Sequence, residues 1–381
     1  MVVGRSDLHC IPIASGKQKS IMPDCKHSSK LSSQRRRIFI VITLLLMTLV
    51  VLGAGEIVAR LCGIKPYAVP RMEVLVEPGG RFYTLKSSGG YGQLPGAFDV
   101  TLPSGWKFHV THDTNGLRVT RAASPPSDRP QKAGLWIMGC SLTHGWSLND
   151  PETFPWLVQQ AMPEFDVLNG GVEGYSTLQS RLLFQELLET RGKPAVVVLA
   201  YGTFHDFRNT LVRERRKAVV AYNRLGPLQQ PYARFKRGGE LEYFMSPVEY
   251  TEFPLMRASA LVHFAEQQYN RWEISRAHSD IVSLELMRRW AVFCRDEGIA
   301  FVVAGISSDS GPMLEALEKM GLRTVNISVR LLEPGNTNLP HDNHPSAKAN
   351  QEYARKLVAY LTDLSSLHRG TNNAADLTFH E

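Results

Sequence analysis

From about residue 133 onward, the sequence alternates between short apolar runs and longer segments with helical periodicity. The short runs are apolar on both faces, which is typical of strands buried in a parallel sheet. Strands are predicted at 135–138, 166–168, 195–200, 300–304 and 323–327. Helices are predicted at 151–161, 177–190, 281–296, 311–320 and 346–361. The alternation predicts a three-layer α/β/α domain over residues 126–365, with a parallel central sheet and its site at the carboxyl ends of the strands.

Two regions break this pattern. Residues 60–125 are rich in glycine, proline and aromatic side chains, with short alternating runs such as 98–102, and they predict a small β-rich element that ends in a Pro/Ser linker. Residues 209–280 interrupt the strand–helix alternation and are predicted to be an insertion in the α/β domain. The last residues, 366–381, are predicted to form a disordered tail.

The N-terminal part of the chain contains an apolar stretch, 38–59, that is long enough to span a bilayer as one helix. Three arginines precede it directly, so the positive-inside rule places the basic, disordered residues 1–37 in the cytoplasm. We therefore predict a single-pass membrane protein, with the lipid bilayer as its partner and its main domain on the extracytoplasmic side. A cleaved signal peptide is the alternative, with a poor small-x-small site at 53–55, and Arg36-Arg37 loosely resembles a twin-arginine signal.

Charge and cysteine content exclude several classes of protein. The formal charge is +7, but residues 1–37 carry +6 of it, so the main domain gives no reason to expect nucleic-acid binding. Five cysteines do not form a disulfide framework, and no pair has the spacing of metal ligands. We therefore expect neither a metal nor a cofactor.

A serine and a distant acid–histidine pair carry the chemistry. Ser141 follows the first predicted strand and a glycine, and Asp342 and His344 lie between the last strand and the last helix. Because the carboxyl ends of parallel strands share one edge, the three residues are predicted to meet. A serine hydroxyl needs a base within reach, and the base needs an orienting group. Ser141 is therefore the predicted nucleophile, His344 the general base and acid, and Asp342 the orienting carboxylate.

An acyl-transfer site also needs donors for the negative oxygen of its tetrahedral intermediate. A glycine-rich turn that contains Gly174 follows the second strand and enters a helix, so its N–H groups could serve, together with the N–H of Ser141. His205 follows the third strand and could be a further donor. The alternatives are an ordinary strand-to-helix turn at Gly174 and a hydrogen-bonded structural histidine at 205.

These residues resemble the conserved blocks of the SGNH (GDSL-type) hydrolases. Gly139-Cys140-Ser141, followed by Thr143 and Gly145, is similar to block one, Gly-Asp-Ser-x-Thr-x-Gly, with cysteine in place of its aspartate. Asp342-Asn343-His344 is similar to block five in the form seen in membrane-anchored bacterial members. Gly174 matches the block-two glycine, whose N–H serves the oxyanion hole in that family. The resemblance covers about 133–362 and implies a flavodoxin-like fold.

Block three is where the chain departs most from the family. The family has Gly-x-Asn-Asp there, and this chain has Gly202-Thr-Phe-His205-Asp206, so histidine stands where an oxyanion-binding asparagine is expected. Asp206 is then predicted to be structural. The resemblance implies an acyl-ester substrate, and extracytoplasmic relatives suggest O-acetyl groups on cell-envelope carbohydrate. Together with the predicted anchor, it also implies a protein of a bacterial inner membrane whose main domain lies in the periplasm.

Other interpretations of the same residues remain open from sequence alone. The triad could pass the acyl group to a polysaccharide hydroxyl instead of water, or the domain could be a non-catalytic envelope scaffold. Cys140 could be the nucleophile in place of Ser141. His341, together with Asp342, His344 and His205, could bind a metal.

Overall fold

The structure is a computed structural model that describes residues 32–69, 74–122 and 132–370. Most of the predicted N-terminal tail, the linker and the end of the C-terminal tail lie outside these ranges. The chain divides into two units, Met1–Val58 and Ala59–Glu381. Helix α1, Ser33–Leu61, is 29 residues long and contains an 18-residue window with a mean hydropathy of 2.7. It is the one helix among the described residues that is long and apolar enough to cross a membrane, and a signal sequence would share these features.

The β-rich element predicted before the main domain consists of five short strands. They are β1 Leu75–Glu77, β2 Tyr83–Lys86, β3 Gly90–Gln93, β4 Gly96–Thr101 and β5 Lys107–His112. β1, β4 and β5 form an antiparallel sheet, and β2 pairs with β3. Alternate side chains of β4 and β5, such as Val100 and Val110, are buried in a small core of their own. Arg118, beyond β5, bridges to Asn169 of the main domain.

The main domain is built on a five-stranded parallel sheet, as predicted. Its strands are β6 Ala133–Gly139, β7 Phe165–Gly171, β8 Val196–Tyr201, β11 Ala300–Gly305 and β12 Arg323–Asn326, and the hairpin β9 Gln229–Phe235 with β10 Leu241–Pro247 lies in the predicted insertion. The spatial order is β12-β11-β8-β6-β7. This is the flavodoxin-like order, in which the order of strand addition reverses between β6 and β8. Ligands of such sheets bind beyond the carboxyl ends of the strands at that point.

Helices cover both faces of this sheet. They are α2 Ser141–His144, α3 Phe154–Ala161, α4 Thr177–Arg191, α5 Phe204–Asn209, α6 Arg213–Val219, α7 Ala260–Arg276, α8 Ser279–Asp296, α9 Gly311–Lys319 and α10 Ala347–Gly370. Successive side chains of β6 alternate between the faces, since Trp136 packs with the residues of α4 and α8 and Ile137 packs with those of α3 and α10. The three-layer prediction is therefore confirmed. α10 extends to Gly370, into the range 366–381 for which a disordered tail is predicted.

Candidate active site

The predicted nucleophile lies at the turn between β6 and α2, at the point where the strand order reverses. Ser141 is the first residue of α2 and is 8% exposed. A Cβ at Gly139 would lie 2.2 Å from Thr143 Oγ1, so a larger residue would push the strand away from the helix. Gly145 ends the helix with a φ of 84°, a left-handed conformation that favours glycine. The glycines of the first motif thus set the position of Ser141.

The structure brings the serine together with the predicted acid–histidine pair. His344 Nε2 lies 3.0 Å from Ser141 Oγ, and His344 Nδ1 lies 2.7 Å from Asp342 Oδ1. The same carboxylate oxygen accepts the backbone N–H of His344 at 2.7 Å. Both separations are ordinary hydrogen-bond distances for a nucleophile, its base and an orienting acid. Ser141 follows the first strand of the α/β domain, and Asp342 and His344 lie just before its last helix, about 200 residues later in the sequence.

Two residues that the sequence analysis missed hold Asp342 in place. Ser147 Oγ donates to Asp342 Oδ1 at 3.2 Å and accepts from Asn338 Nδ2 at 2.8 Å. Burial acts to raise the pKa of Asp342, but the hydrogen bonds and charge of His344 outweigh it and hold that pKa below its usual value. Asp342 is therefore ionised at neutral pH. Ser147 has a φ of 62°, and no sequence pattern marks it.

The glycine-rich turn lies beside the nucleophile turn. Gly171 pairs with Gly139 across the two strands, and the N–H of Val172 donates to the carbonyl of Gly139 at 3.2 Å. Gly174 follows with a φ of 73°. The N–H groups of Ser141 and Gly174 donate to no other described residue. Two N–H groups on neighbouring turns are thus free to bind a developing negative charge.

His205 is fully buried in the layer of α4 and α5. Its Nδ1 lies 3.3 Å from Thr177 Oγ1, and within the described ranges its Nε2 has no hydrogen-bond partner. Burial, together with the charges of Arg208 and Arg215, holds its pKa well below 6.5, so the ring is neutral. No hydrogen bond joins His205 to the triad among the described residues. Its oxyanion role stays a prediction.

The geometry gives little support to Cys140 as the nucleophile or to a metal site at the predicted histidines. Cys140 is fully buried, whereas solvent reaches Ser141. The ring of His341 stacks on Trp106, with 5.1 Å between ring centroids. In the part of the chain that the structure describes, no group of three or more His, Cys, Asp or Glu side chains could hold a metal ion.

A second polar cluster, which the sequence analysis also missed, connects the nucleophile turn and the glycine-rich turn to the β-rich element. His144 Nδ1 is 2.5 Å from Glu173 Oε1, and His144 Nε2 is 3.0 Å from His112 Nε2. Gln93 Nε2 donates to Glu173 Oε2 at 2.7 Å. Burial acts to raise the pKa of Glu173, but His144 and His112 outweigh it and lower that pKa to about 2. Its members come from the β-rich element and from both turns.

Arg118 fixes the far end of the nucleophile turn. The guanidinium is fully buried, and it donates to the carbonyls of Gly145 and Leu148, both at 2.6 Å. Its Nε donates to Asp150 Oδ1 at 3.0 Å. One side chain of the β-rich element therefore binds carbonyls at and beyond the end of the short helix α2. Neither spacing nor composition marks Arg118 in the sequence.

Comparison with known proteins gives fold similarity only. No protein-family model matches the chain, and no curated protein sequence matches it. A lipolytic protein of the G-D-S-L family from Desulfitobacterium hafniense is 9% identical over 60% of this chain and 99% of its own, with a TM-score of 0.34. A protein described as an acylhydrolase from Bacteroides fragilis is 11% identical over 62% of this chain and 92% of its own, with a TM-score of 0.35.

An acetyl-xylooligosaccharide esterase from Geobacillus, solved as a mutant, is also similar. It is 11% identical over 61% of this chain and 95% of its own, with a TM-score of 0.36. The first of these structures is named for the G-D-S-L family, whose motifs the sequence resembles. Similarity at this level assigns neither a reaction nor a substrate, which have to be inferred from the side chains.

Proposed function

We propose that this protein is a serine esterase with Ser141 as its nucleophile. The observation that carries the proposal is the hydrogen-bonded series Ser141–His344–Asp342, with 3.0 Å between Ser141 Oγ and His344 Nε2. Because Ser141 and His344 already lie within hydrogen-bond distance, this contact favours a catalytic role over that of a non-catalytic scaffold. The side chain of His344 is 26% exposed, so substrate and water can reach the base.

The reaction follows from these positions. Ser141 Oγ attacks the ester carbonyl carbon and gives its proton to His344 Nε2. The carbonyl oxygen becomes negative and accepts hydrogen bonds from the N–H groups of Ser141 and Gly174. The carbon–oxygen bond to the leaving alcohol then breaks, and His344 returns its proton to that oxygen. Water attacks the acyl-serine by the same route, again through His344, and releases the acid. Asp342 stays ionised and stabilises the imidazolium.

The substrate that we propose is an O-acetyl ester on cell-envelope carbohydrate. The proposal rests on the motif resemblance to extracytoplasmic SGNH-type enzymes, and the reaction geometry itself suits any small acyl ester. We further propose that α1 is an uncleaved anchor and that the domain after residue 60 is periplasmic. The length and hydropathy of α1 support the anchor.

Activity and labelling test the assignment of Ser141. The purified chain in detergent should hydrolyse p-nitrophenyl acetate and should be labelled by a fluorophosphonate probe, whereas Ser141→Ala should do neither. Cys140→Ser is the matched control and should keep both properties, because Cys140 is buried. Hydrolysis retained by Ser141→Ala would reject the assignment. Product analysis with an acetylated glycan, with and without an acceptor glycan, would separate hydrolysis from transfer.

Cysteine labelling tests the topology. Cys62 is exposed just beyond α1, and Cys10 and Cys25 precede the helix. A membrane-impermeant maleimide added to cells with a permeabilised outer membrane should label Cys62 alone, with Cys10 and Cys25 protected until the inner membrane is opened. A mature chain that lacks residues 1–55 would show that the helix is a cleaved signal instead.

A further inference from the structure

The peptide between Glu173 and Gly174 is held from its carbonyl side. The N–H of Gly174 is the proposed oxyanion donor, and the carbonyl of the same peptide belongs to Glu173. Tyr91 Oη donates a hydrogen bond to that carbonyl at 2.7 Å. A trans peptide is planar, with its C=O and N–H pointing in opposite directions. Fixing the carbonyl therefore fixes the direction of the N–H.

Tyr91 is itself rigidly placed. It belongs to β3 of the β-rich element, is fully buried, and stacks on Tyr222 with 4.6 Å between ring centroids. Its backbone carbonyl accepts a hydrogen bond from the hydroxyl of Tyr175, the residue after Gly174. A Cβ at Gly174 would lie 2.7 Å from the Tyr91 hydroxyl oxygen, so glycine is needed for this close approach.

A buried cation lies next to this hydroxyl. Arg215, on α6 in the insertion, is 2% exposed, and its Nη1 is 3.4 Å from the same Cβ position at Gly174. Its Nη2 donates to the neutral side-chain amides of Gln179 and Gln230, both at 3.0 Å. Among the described residues, no carboxylate forms a salt bridge with Arg215. The full positive charge is therefore buried without an ionic partner, which is costly.

The charge of Arg215 reaches the Tyr91 hydroxyl. Burial raises the pKa of Tyr91, and the nearby charge of Arg215 opposes this rise. A cation next to a hydroxyl strengthens that hydroxyl as a donor, because the positive charge favours loss of its proton. Stronger donation to the Glu173 carbonyl in turn makes the N–H of the same peptide more positive.

We propose that Tyr91 and Arg215 orient and polarise the Gly174 N–H, and so strengthen the oxyanion hole of the proposed esterase. Neither side chain needs to touch the substrate, so both are positioning residues. The arrangement costs no reorganisation during the reaction, since the peptide, the phenol and the guanidinium are already in place. It also explains why a buried cation without a carboxylate partner is kept beside the turn.

The test compares Tyr91→Phe with Tyr222→Phe in the full-length protein in detergent. Both substitutions remove one hydroxyl from the same aromatic stack, but only Tyr91 donates to the Glu173 carbonyl. Tyr91→Phe leaves the Gly174 N–H in place but weakens it as a hydrogen-bond donor. We therefore expect the substitution to lower kcat about 10- to 100-fold with KM changed by less than about threefold. Tyr222→Phe should keep kcat within about threefold of the wild type.

A transition-state mimic provides a readout that a merely structural role would not move. An alkyl boronic acid forms a tetrahedral anion on the nucleophilic serine, so its affinity should fall in Tyr91→Phe by the same factor as kcat. Labelling by fluorophosphonate identifies folded protein with an intact Ser141. Replacing Tyr91 by 3-fluorotyrosine keeps the ring and gives a more acidic hydroxyl, and it should preserve kcat even if Tyr91→Phe unfolds.

The outcomes separate this proposal from the assignment of Ser141. Unchanged kcat and boronate affinity in Tyr91→Phe, with Ser141→Ala inactive, would overturn the role of Tyr91 and leave the esterase in place. Equal losses in Tyr91→Phe and the 3-fluorotyrosine variant would point to packing and would also overturn it. A wild-type chain with neither labelling nor hydrolysis would reject both proposals. Arg215→Lys, which keeps the charge, should lose less kcat than Arg215→Met.

Discussion

His144 Nδ1 and Glu173 Oε1 lie 2.5 Å apart, and this contact joins the turn that carries Ser141 to the turn that carries Gly174. His144 is the last residue of α2, three positions after Ser141, and Glu173 directly precedes Gly174. Both side chains are buried. Because the proposed nucleophile and the proposed oxyanion donor must be held at a fixed separation, this direct buried contact between their turns provides that restraint.

We expect Glu173→Gln to destabilise the protein in a pH-dependent way. The pKa of Glu173 is lowered from 4.5 to about 2 in the folded state, so its ionised form contributes stability above about pH 4.5. That contribution, about 3 kcal/mol in the free energy of unfolding, is lost as the pH falls from 4.5 towards 2. Denaturant unfolding at pH 7 and pH 3 measures it. Glu186→Gln, at a half-exposed pair with Lys86, is the control and should cost less than about 1 kcal/mol.

A second expectation concerns the carboxylate of the triad. Asp342→Asn should lower kcat by about 10³- to 10⁴-fold, because an amide cannot stabilise the imidazolium and favours the wrong tautomer of His344. Since the pKa of Asp342 is already below its usual value, this residue should not produce an acidic limb in the wild-type pH profile near pH 5. Steady-state kinetics from pH 4 to 9 measure both effects. Activity of Asp342→Asn close to that of the wild type would argue against the triad.

The sequence was sufficient for the residues whose positions depend on strand order. Ser141, Asp342 and His344 each follow a predicted parallel strand, and the carboxyl ends of such strands share an edge, so their meeting could be predicted across 200 residues. Tyr91 and His112 could not be predicted in the same way. They reach the site from a β-rich element whose docking depends on tertiary packing, which has no periodic signal in the sequence.

His205 shows a different limit of sequence reasoning. Its position after β8 was predicted, and that position does lie at the carboxyl edge of the sheet. The direction of its side chain depends on α4 and α5, which bury it against Thr177. Strand order specifies the edge at which a residue lies, and helix packing specifies where its side chain points.

Ser147 offers a milder perturbation of the triad. Ser147→Ala removes the hydroxyl that donates to Asp342 at 3.2 Å, so we expect kcat to fall about 3- to 10-fold through a less firmly held carboxylate. Ser147→Gly removes the same hydroxyl but relieves the positive φ of 62°. Its kcat should match that of Ser147→Ala, while its stability should be higher by about 1 kcal/mol. Equal kcat for wild type and both variants would show that Asp342 does not need this contact.

Asp206 should be structural and should destabilise the protein when ionised. Burial raises its pKa from 3.8 to about 6, with Tyr201 Oη donating to Oδ1 at 2.7 Å. A raised folded-state pKa means that stability is fully present below about pH 3.8 and is lost as the pH rises through 6. Asp206→Asn keeps an acceptor for Tyr201 without the charge, so it should be more stable than the wild type at pH 8 by about 1–3 kcal/mol and equal to it near pH 4.

Asp309→Asn is the matched control for that substitution. Asp309 accepts hydrogen bonds from Thr203 and Ser307, both at 2.6 Å, and these bonds outweigh burial and lower its pKa. Its replacement should therefore lower stability at pH 8, the opposite sign to Asp206→Asn, while kcat stays within about threefold of the wild type in both variants. Thermal unfolding at pH 4, 6 and 8 measures the two differences. A loss of kcat above 100-fold in stable Asp206→Asn protein would instead place Asp206 in the reaction, because a residue that acts only through stability leaves the folded enzyme's turnover unchanged.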